Sequence, residues 1–380
     1  MSPSSGARPL NASTAQVAVA FGGPSPEHDV SILTGLQAAR ELHRAGQPVT
    51  GLYWAKTGDW YAVPATFEAS AFTEGVPAGA EALRLALGED GGFAVSGRMG
   101  RTRPFALDVV VNCCHGGPGE DGSLQAALDL AGIPYTGPTA AGAALGMDKL
   151  AFAGVVSAVD LPCLARLALS PGVELDFPGP YIVKPRFGGS SIGVEVVEDA
   201  ETALARLDAN PHLRRGAVVE PFRPDLFDLN VAVRSWPVPA VSAIERPLRS
   251  GSRSEILGYA DKYVGGQGMA SAPRELPATL APAVAEELRR HAAMVAELSL
   301  LRGVARIDFL SNGESLFVNE INTIPGSLAR YLWVDPPVSF LSLLMDLIEE
   351  ARRRPSSRHS AVGADGTVLR GAAAIAAKLS

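Results

Sequence analysis

Long hydrophobic runs are missing from this chain: no stretch reaches eighteen apolar residues, which excludes a membrane-spanning helix. Cysteine is scarce. The three present, Cys113, Cys114 and Cys163, have neither an even count nor metal-ligand spacing, so a disulfide framework and a thiolate metal site are both excluded. Basic blocks are also lacking. With a net charge of −7, the chain is not built to hold nucleic acid, apart from a mononucleotide bound by a few local cations. Neither GxGxxG nor GxxxxGK[ST] occurs, which disfavours a dinucleotide-dependent dehydrogenase and a P-loop NTPase. Residues 1–15 are rich in Ser, Pro, Gly and Ala without an apolar signal region, and are expected to be disordered. The expected location is the cytoplasm, with no membrane partner.

What is present is ordinary for a globular protein. The 380 residues, 47% hydrophobic and 19% charged, are enough for two or three domains with sizeable cores. The pattern predicts strand, polar loop and helix over Gln16–Phe21, Gly22–His28 and Val30–Arg44, then a hairpin about Thr57-Gly58. A buried strand, Asp108–Cys114, runs into His115-Gly-Gly-Pro-Gly-Glu-Asp-Gly122, where glycines admit close backbone approach and the following helix points its amides back at the loop. A second domain is expected from about 139, with Met147, Asp148 and Lys149 on a helix and Lys184 at a strand end before the Gly/Ser loop 185–193. A third is expected over 218–354, opening on Val218–Phe222. It includes a long Gly/Ser-rich stretch from Ser250 to Pro277, the length of a lid, and residues 355–380 are expected to be a tail.

Gly303–Ser327, GVARIDFLSNGESLFVNEINTIPGS, is the most informative stretch. Period-two alternation predicts two strands with Ala305, Ile307, Phe309, Phe317 and Ile321 on one face. Arg306, Asp308, Glu320 and Asn322 fall on the other. A three-residue loop with Gly313 left-handed pairs 308 with 316 and 304 with 320, and places both carboxylates on one face. Hard oxygen ligands of this kind suit Mg²⁺ that also takes substrate phosphates.

These motifs resemble the D-alanine:D-alanine ligase family of ATP-grasp enzymes. The match runs from about Val17 to Trp333 through FGGPSPEHDVS, HGGPGEDG, MDKL, VKPRFGGSSIGV, VVEPF, ADKY, ARID and NEINTIPGS, in the family's order. The resemblance implies an α/β fold with an N-terminal substrate domain (16–138), a central domain (139–217) and a C-terminal domain (218–354), ATP lying between the last two. It implies an ATP-dependent, peptide-forming ligase working through an acyl phosphate on small amino acids. By the same resemblance Lys149, Lys184, Ser190 and Ser191 meet the phosphates, Glu220 and Phe222 frame adenine, and Asp228 stands in for the ribose ligand after a one-residue insertion. Asp308, Glu320 and Asn322 bind two Mg²⁺, with Mn²⁺ an admissible substitute. Glu27 holds the first substrate's ammonium, His115 lies near its carboxyl group, and Tyr263 and Lys262 come from the lid to join Glu27 and Ser190. Arg306 and Gly326 meet the oxyanion. A homodimer is compatible with this family.

One departure bears on the second substrate, the acceptor. Ser327-Leu328 follows Gly326 directly, whereas family members joining two D-alanines usually insert several residues before the Ser-Leu pair that anchors the acceptor's carboxylate. The acceptor is therefore expected not to be D-alanine alone, with Arg330 as a candidate clamp. A divergent ligase joining other amino acids or amines, or a non-catalytic nucleotide-binding module, are the alternatives.

Overall fold

A computed structural model describes residues 16–88, 90–97, 101–248, 273–355 and 360–370. Lys262 and Tyr263, and most of the expected lid, lie outside the described residues.

The first unit is a seven-stranded mixed sheet in the order β6-β5-β4-β3-β2-β1-β7. Its buried centre is β1 (Val17–Gly22), parallel to β2 (Val49–Trp54) and to β7 (Val109–Asn112). β3 (Trp60–Pro64), β4 (Glu81–Ala86), β5 (Gly92–Ser96) and β6 (Thr102–Pro104) extend it as an antiparallel meander. β1 and β7 are apolar along nearly their whole length because both faces are covered. The helix α1 (His28–Arg44) lies on one face and α3 (Ser123–Leu130) on the other, with the single turn α2 (Gly117–Glu120) between β7 and α3. The loops after β1 and β7, at the carboxyl ends of adjacent parallel strands, are where such sheets gather ligand-binding groups.

The second unit begins with α4 (Ala140–Met147) and α5 (Lys149–Ser157). The two are separate helices, because Asp148 is extended (ψ 97°) and caps α5 by accepting from the Leu150 and Ala151 amides. Its antiparallel sheet runs β10-β9-β11-β8, with β8 Leu167–Leu169, β9 Tyr181–Pro185, β10 Glu195–Val197 and β11 Ala217–Pro221. The expected step between domains at 217/218 cuts β11, whose pairing with β9 keeps Val218–Pro221 in this sheet.

The third unit is the sheet β13-β12-β16-β17, with β12 Phe227–Arg234, β13 Ala240–Val241, β16 Val304–Ser311 and β17 Leu316–Asn322. Helix Pro282–Leu298 covers one face with Leu288, Ala292 and Val295, and α5 adds Phe152 and Val156. A stem of two short strands, β14 (Arg246–Pro247) and β15 (Arg274–Glu275), brackets the expected lid. The amphipathic helix Phe340–Arg353 returns to the first unit, where Leu343, Leu344, Leu347 and Ile348 share a core with Val19, Phe21 and Leu42.

The hairpin register differs from the expected one. Ser311 pairs with Leu316 around the four residues 312–315, and a bulge at Asn319 shifts the ladder so that Asp308 faces Glu320 and Arg306 faces Asn322. Asp308 and Glu320 share a face, as expected, but through direct opposition. The bulge also exchanges the apolar positions nearer the turn: Leu316 and Val318, not Phe317, join Phe309 in the core. Alternation alone could not reveal an extra residue in one strand. Gly313 is left-handed, at φ 97°.

Candidate active site

Register makes the floor of the site. Glu320, Asp308 and Asn230 stand opposite one another on β17, β16 and β12, and Glu245 bridges Asn230 beyond them. This polar row lies along one wall of a cavity of about 290 Å³. Arg306 grips Asp308 with two N–H donors on one edge of its guanidinium (Nε–Oδ1 2.6 Å, Nη2–Oδ2 2.7 Å), and the Asn322 amide donates to Asp308 Oδ2 at 3.0 Å. Glu320 meets Lys149 Nζ at 3.3 Å.

The cations opposite are fixed by short elements. Lys149 opens α5 because Asp148 ends α4, and its ammonium also donates to the Gly188 carbonyl at 2.6 Å. Asp148 in turn holds Arg186 through two contacts of 2.8 and 2.6 Å, so the start of the glycine-rich loop is tied to the helix break. Arg186 lies over Phe187, with 5.2 Å from guanidinium to ring centre. Lys184 on β9 donates to Glu220 Oε2 on β11 at 2.8 Å.

The other oxygen of Glu220 accepts from Arg166 Nε at 2.7 Å. Arg166 then reaches the Lys149 carbonyl (2.8 Å) and the Asn319 carbonyl at the bulge (3.1 Å), joining α5, β11 and β17 through one side chain. Burial alone would raise the Glu220 acid; Lys184 and Arg166 outweigh it and hold the carboxyl below its ordinary range. Motif and spacing do not single out Arg166. Its signal is a lone guanidinium inside the apolar run Leu161–Leu169. Phe222, Asp228, Ser190 and Ser191 line the same cavity.

At the other end, the Ser190 hydroxyl donates to Glu27 Oε1, linking the glycine-rich loop to the first unit. Gly116, at φ 61°, and Gly189 are needed here because an added Cβ would lie 2.4 and 3.0 Å from Glu27 Oε2. His115 lines the cavity, yet both its ring nitrogens are engaged within the protein. Nδ1 donates to the Ile324 carbonyl (2.7 Å) and Nε2 accepts from Thr34 Oγ1 (2.8 Å), whose oxygen accepts from the Ser327 amide at 3.1 Å. Burial lowers the basicity of His115, consistent with this neutral tautomer. The ring therefore positions the Ile324–Ser327 segment at the cavity wall, near which the substrate carboxyl is expected.

Glu120, which the motifs likewise leave unassigned, spans the same junction. It accepts from the Gly116 amide (3.0 Å) and the Ile324 amide (2.9 Å). Burial first, and Glu27 second, push its acid up to about 7. Only its place in the Gly-rich run after β7 hints at it.

Gly326 lines the cavity, but the three residues after it depart from expectation. Ser327, Leu328 and Ala329 take three successive left-handed conformations (φ 50°, 50° and 51°). This buries Leu328 in the core. The Leu328 amide donates to the Pro325 carbonyl at 2.8 Å, and the Ser327 amide is already bound to Thr34. Arg330 does not reach the cavity wall; its guanidinium lies 5.1 Å from the Phe340 ring, on the exterior.

The donor set suits a hard divalent cation. Among the described residues no cluster of three His, Cys, Asp or Glu exists that could hold a metal. Two carboxylates with an adjacent amide are instead what a metal requires when substrate phosphates complete its shell. Nor is any described helix long and apolar enough to cross a membrane.

Comparison with known proteins matches this architecture. Residues 16–138 match the family model "D-ala D-ala ligase N-terminus" and 144–349 "D-ala D-ala ligase C-terminus". A D-alanine--D-alanine ligase from Methylobacterium sp. (strain 4-46) is 34% identical over 95% of this chain and 96% of its own. One from Chlorobaculum tepidum is 32% identical over 90% and 98%. The D-alanine-D-alanine ligase of Coxiella burnetii superposes with a TM-score of 0.73 at 22% identity, covering 94% and 98% of the two chains. A D-Ala:D-Ser ligase from Enterococcus faecalis gives 0.70 at 22% identity, covering 89% and 99%. With this cavity, these motifs and both family models spanning most of its length, the chain belongs to the D-ala D-ala ligase family.

Proposed function

We propose that the protein joins two small amino acids, D-alanine being the first donor to test, in an ATP-dependent reaction that proceeds through an acyl phosphate and releases ADP and phosphate. As a member of this family it is a ligase of the ATP-grasp fold. One observation carries the residue-level reading: Glu320, Asp308 and Asn322 line one cavity with Lys149, Lys184 and the Ser190-Ser191 loop, and that loop touches Glu27.

Lys149, Lys184, Ser190 and Ser191 would hold the phosphates, with Glu220, Phe222 and Asp228 toward the nucleoside. Asp308, Glu320 and Asn322 would hold the divalent cations, two Mg²⁺ or Mn²⁺ in their place, which when bound supply charge neutralisation at the phosphoryl oxygens. A donor carboxylate oxygen attacks the γ-phosphorus and the bond to the ADP oxygen breaks. Lys184 offsets the negative charge that builds there. Glu27, fixed by Ser190, orients the donor's ammonium. The acceptor amine attacks the acyl carbon, Arg306 and the Gly326 amide receive the oxyanion, and the carbon–oxygen bond to phosphate breaks as the amine sheds its proton. By the resemblance, Lys262 and Tyr263, outside the described residues, would help to exclude water from the acyl phosphate. Action in the cytoplasm, a homodimeric assembly and a three-domain division complete the reading.

The test is ADP release from ATP with D-alanine in the presence of hydroxylamine, which captures an acyl phosphate as a hydroxamate. Formation of D-alanine hydroxamate is expected. A protein that binds ATP but yields neither hydroxamate nor ADP with any amino acid is a binding module and not a ligase.

A further inference from the structure

Resting on the cation and nucleotide assignments of that reading, we propose that Arg166 is a positioning residue: it sets the cation-holding Glu320 against Lys149 and couples that pair to the nucleoside end of the site at Glu220. Arg166 is not among the residues that line the cavity. It stands behind the wall, and the three nitrogens of its guanidinium reach three parts of the site. Nε donates to Glu220 Oε1 at 2.7 Å, Nη1 to the Lys149 carbonyl at 2.8 Å and Nη2 to the Asn319 carbonyl at 3.1 Å. The Lys149 ammonium and the Glu320 carboxylate meet at 3.3 Å. One planar group thus holds the backbone of Lys149 and of the residue just before Glu320.

The path of the chain brings these targets together. After α5, the Val318 amide donates to the Pro162 carbonyl at 2.8 Å and Cys163 bridges Val318 in parallel, so the segment begins as an added edge of the third unit's sheet. It ends in the second unit's sheet, where Leu167 pairs with Val219 of β11. Arg166 lies at this crossing. Asn319 is the extra residue of the bulge and has no opposite residue on β16. Nη2 takes up its carbonyl, and the next residue, Glu320, then stands opposite Asp308.

Stability is a weak account of this arrangement. The Arg166 and Glu220 side chains are only 4% and 1% exposed, and Lys184 adds a second cation to the same carboxylate at 2.8 Å. Such charges are costly to desolvate, and apolar side chains of similar volume in their place are often neutral or stabilising. An apolar side chain cannot present donors in a fixed fork to a carboxylate and two carbonyls at once. Groups one step behind a metal's ligands set its affinity by fixing how those ligands point. Here that step runs through the backbone at Asn319, and the same guanidinium carries it to Glu220.

The experiment measures binding by calorimetry in the wild type, Arg166→Lys and Arg166→Met, with urea midpoints alongside. Adenosine probes the nucleoside end alone. β,γ-Methylene-ATP, which resists cleavage at the γ-phosphate, is titrated with Mg²⁺ and again in EDTA, and the ratio of its Kd in EDTA to its Kd with Mg²⁺ reports how well the cation is held without any turnover. Arg166→Lys keeps a positive charge beside Glu220 but lacks the fork. Adenosine is expected to bind it as it binds the wild type, while the Mg²⁺ ratio falls by about ten-fold. Arg166→Met leaves Glu220 and Lys184 as a neutral pair, so no lone buried charge remains; it should lose the ratio likewise and bind adenosine about three- to ten-fold more weakly. An Arg166→Lys protein with the wild-type ratio would overturn the proposal. So would adenosine binding and the ratio falling together with the urea midpoint in both variants, since that is the pattern of a general support for the fold. A wild type in which Mg²⁺ does not tighten the analogue would overturn the cation assignment and this proposal with it. Absence of hydroxamate from a wild type that shows the expected binding pattern would overturn the ligase reading alone.

Discussion

Glu320 is the residue at which charge matters most directly. Its carboxylate is 28% exposed on the cavity wall, so Glu320→Gln removes one negative charge without altering a packed core. Turnover is expected to fall at least about a hundred-fold, with an unchanged unfolding midpoint. Near-wild-type turnover at saturating Mg²⁺ would remove it from the ligand set. Glu120 is the opposite case, a carboxyl whose burial resists ionisation. Its acid is raised from 4.5 to about 7, so the folded state keeps its proton longer than the unfolded state does. The contribution of protonated Glu120 is complete below pH 4.5 and declines as pH rises toward and through 7, a change of about 3 kcal/mol. Urea titrations of the wild type and Glu120→Gln across pH 4.5 to 8 should show the wild type losing that much relative to the variant. Parallel profiles would mean that the carboxyl ionises normally. Sequence made Glu320 legible because it lies in a strand of alternating character. Glu120 and Arg166 were not legible, because their roles depend on partners far along the chain, Ile324 for one and Glu220 for the other.

At the scale of elements, periodicity located the strands and helices but not the irregularities that aim the side chains. The 303–327 hairpin illustrates both. Its two faces were readable from alternation, whereas the bulge at Asn319 depends on Arg166 holding the Asn319 carbonyl from another unit. The left-handed turn after Gly326 was equally hidden, since Ser, Leu and Ala have no local preference for positive φ. By contrast, the contact between α1 and β1 is encoded by one glycine. A Cβ at Gly35 would sit 2.4 Å from Phe21 Cβ. Gly35→Ala must therefore push α1 off the sheet, and should destabilise the protein by about 1–3 kcal/mol despite alanine's better helix propensity. Gly313→Ala serves as the control. Nothing lies within 4 Å of a Cβ there, so only the left-handed backbone at φ 97° resists, and the loss should be about 1 kcal/mol. Thermal unfolding that ranks Gly313→Ala as the more damaging change would contradict the packing argument.

At the scale of the whole molecule, the first unit and the 303–327 hairpin are registered by a directed chain of hydrogen bonds. The Ser327 amide donates to Thr34, the Thr34 hydroxyl to His115 Nε2, and His115 Nδ1 back to the Ile324 carbonyl. The chain begins and ends on the segment that carries Gly326, while Glu120 takes the Ile324 amide from the same side. Glu27 and Gly326 come from units joined here, so their separation depends on this junction. Thr34 is 1% exposed and Thr34→Val nearly preserves its volume, but it removes both an acceptor and a donor. The Ser327 amide and His115 Nε2 are then left unsatisfied, at a cost of about 1–3 kcal/mol for each buried group. The expected outcome is a lower urea midpoint together with a fall in kcat/KM for both amino acids. The KM for ATP should hold, because Lys149, Lys184 and Glu220 lie in the other units and make no contact with Thr34. Thr34→Ser, which keeps the hydroxyl, should recover most of the activity. Loss of ATP affinity in Thr34→Val, or failure of Thr34→Ser to rescue it, would show that the chain supports the fold generally and does not set the position of Glu27 against Gly326.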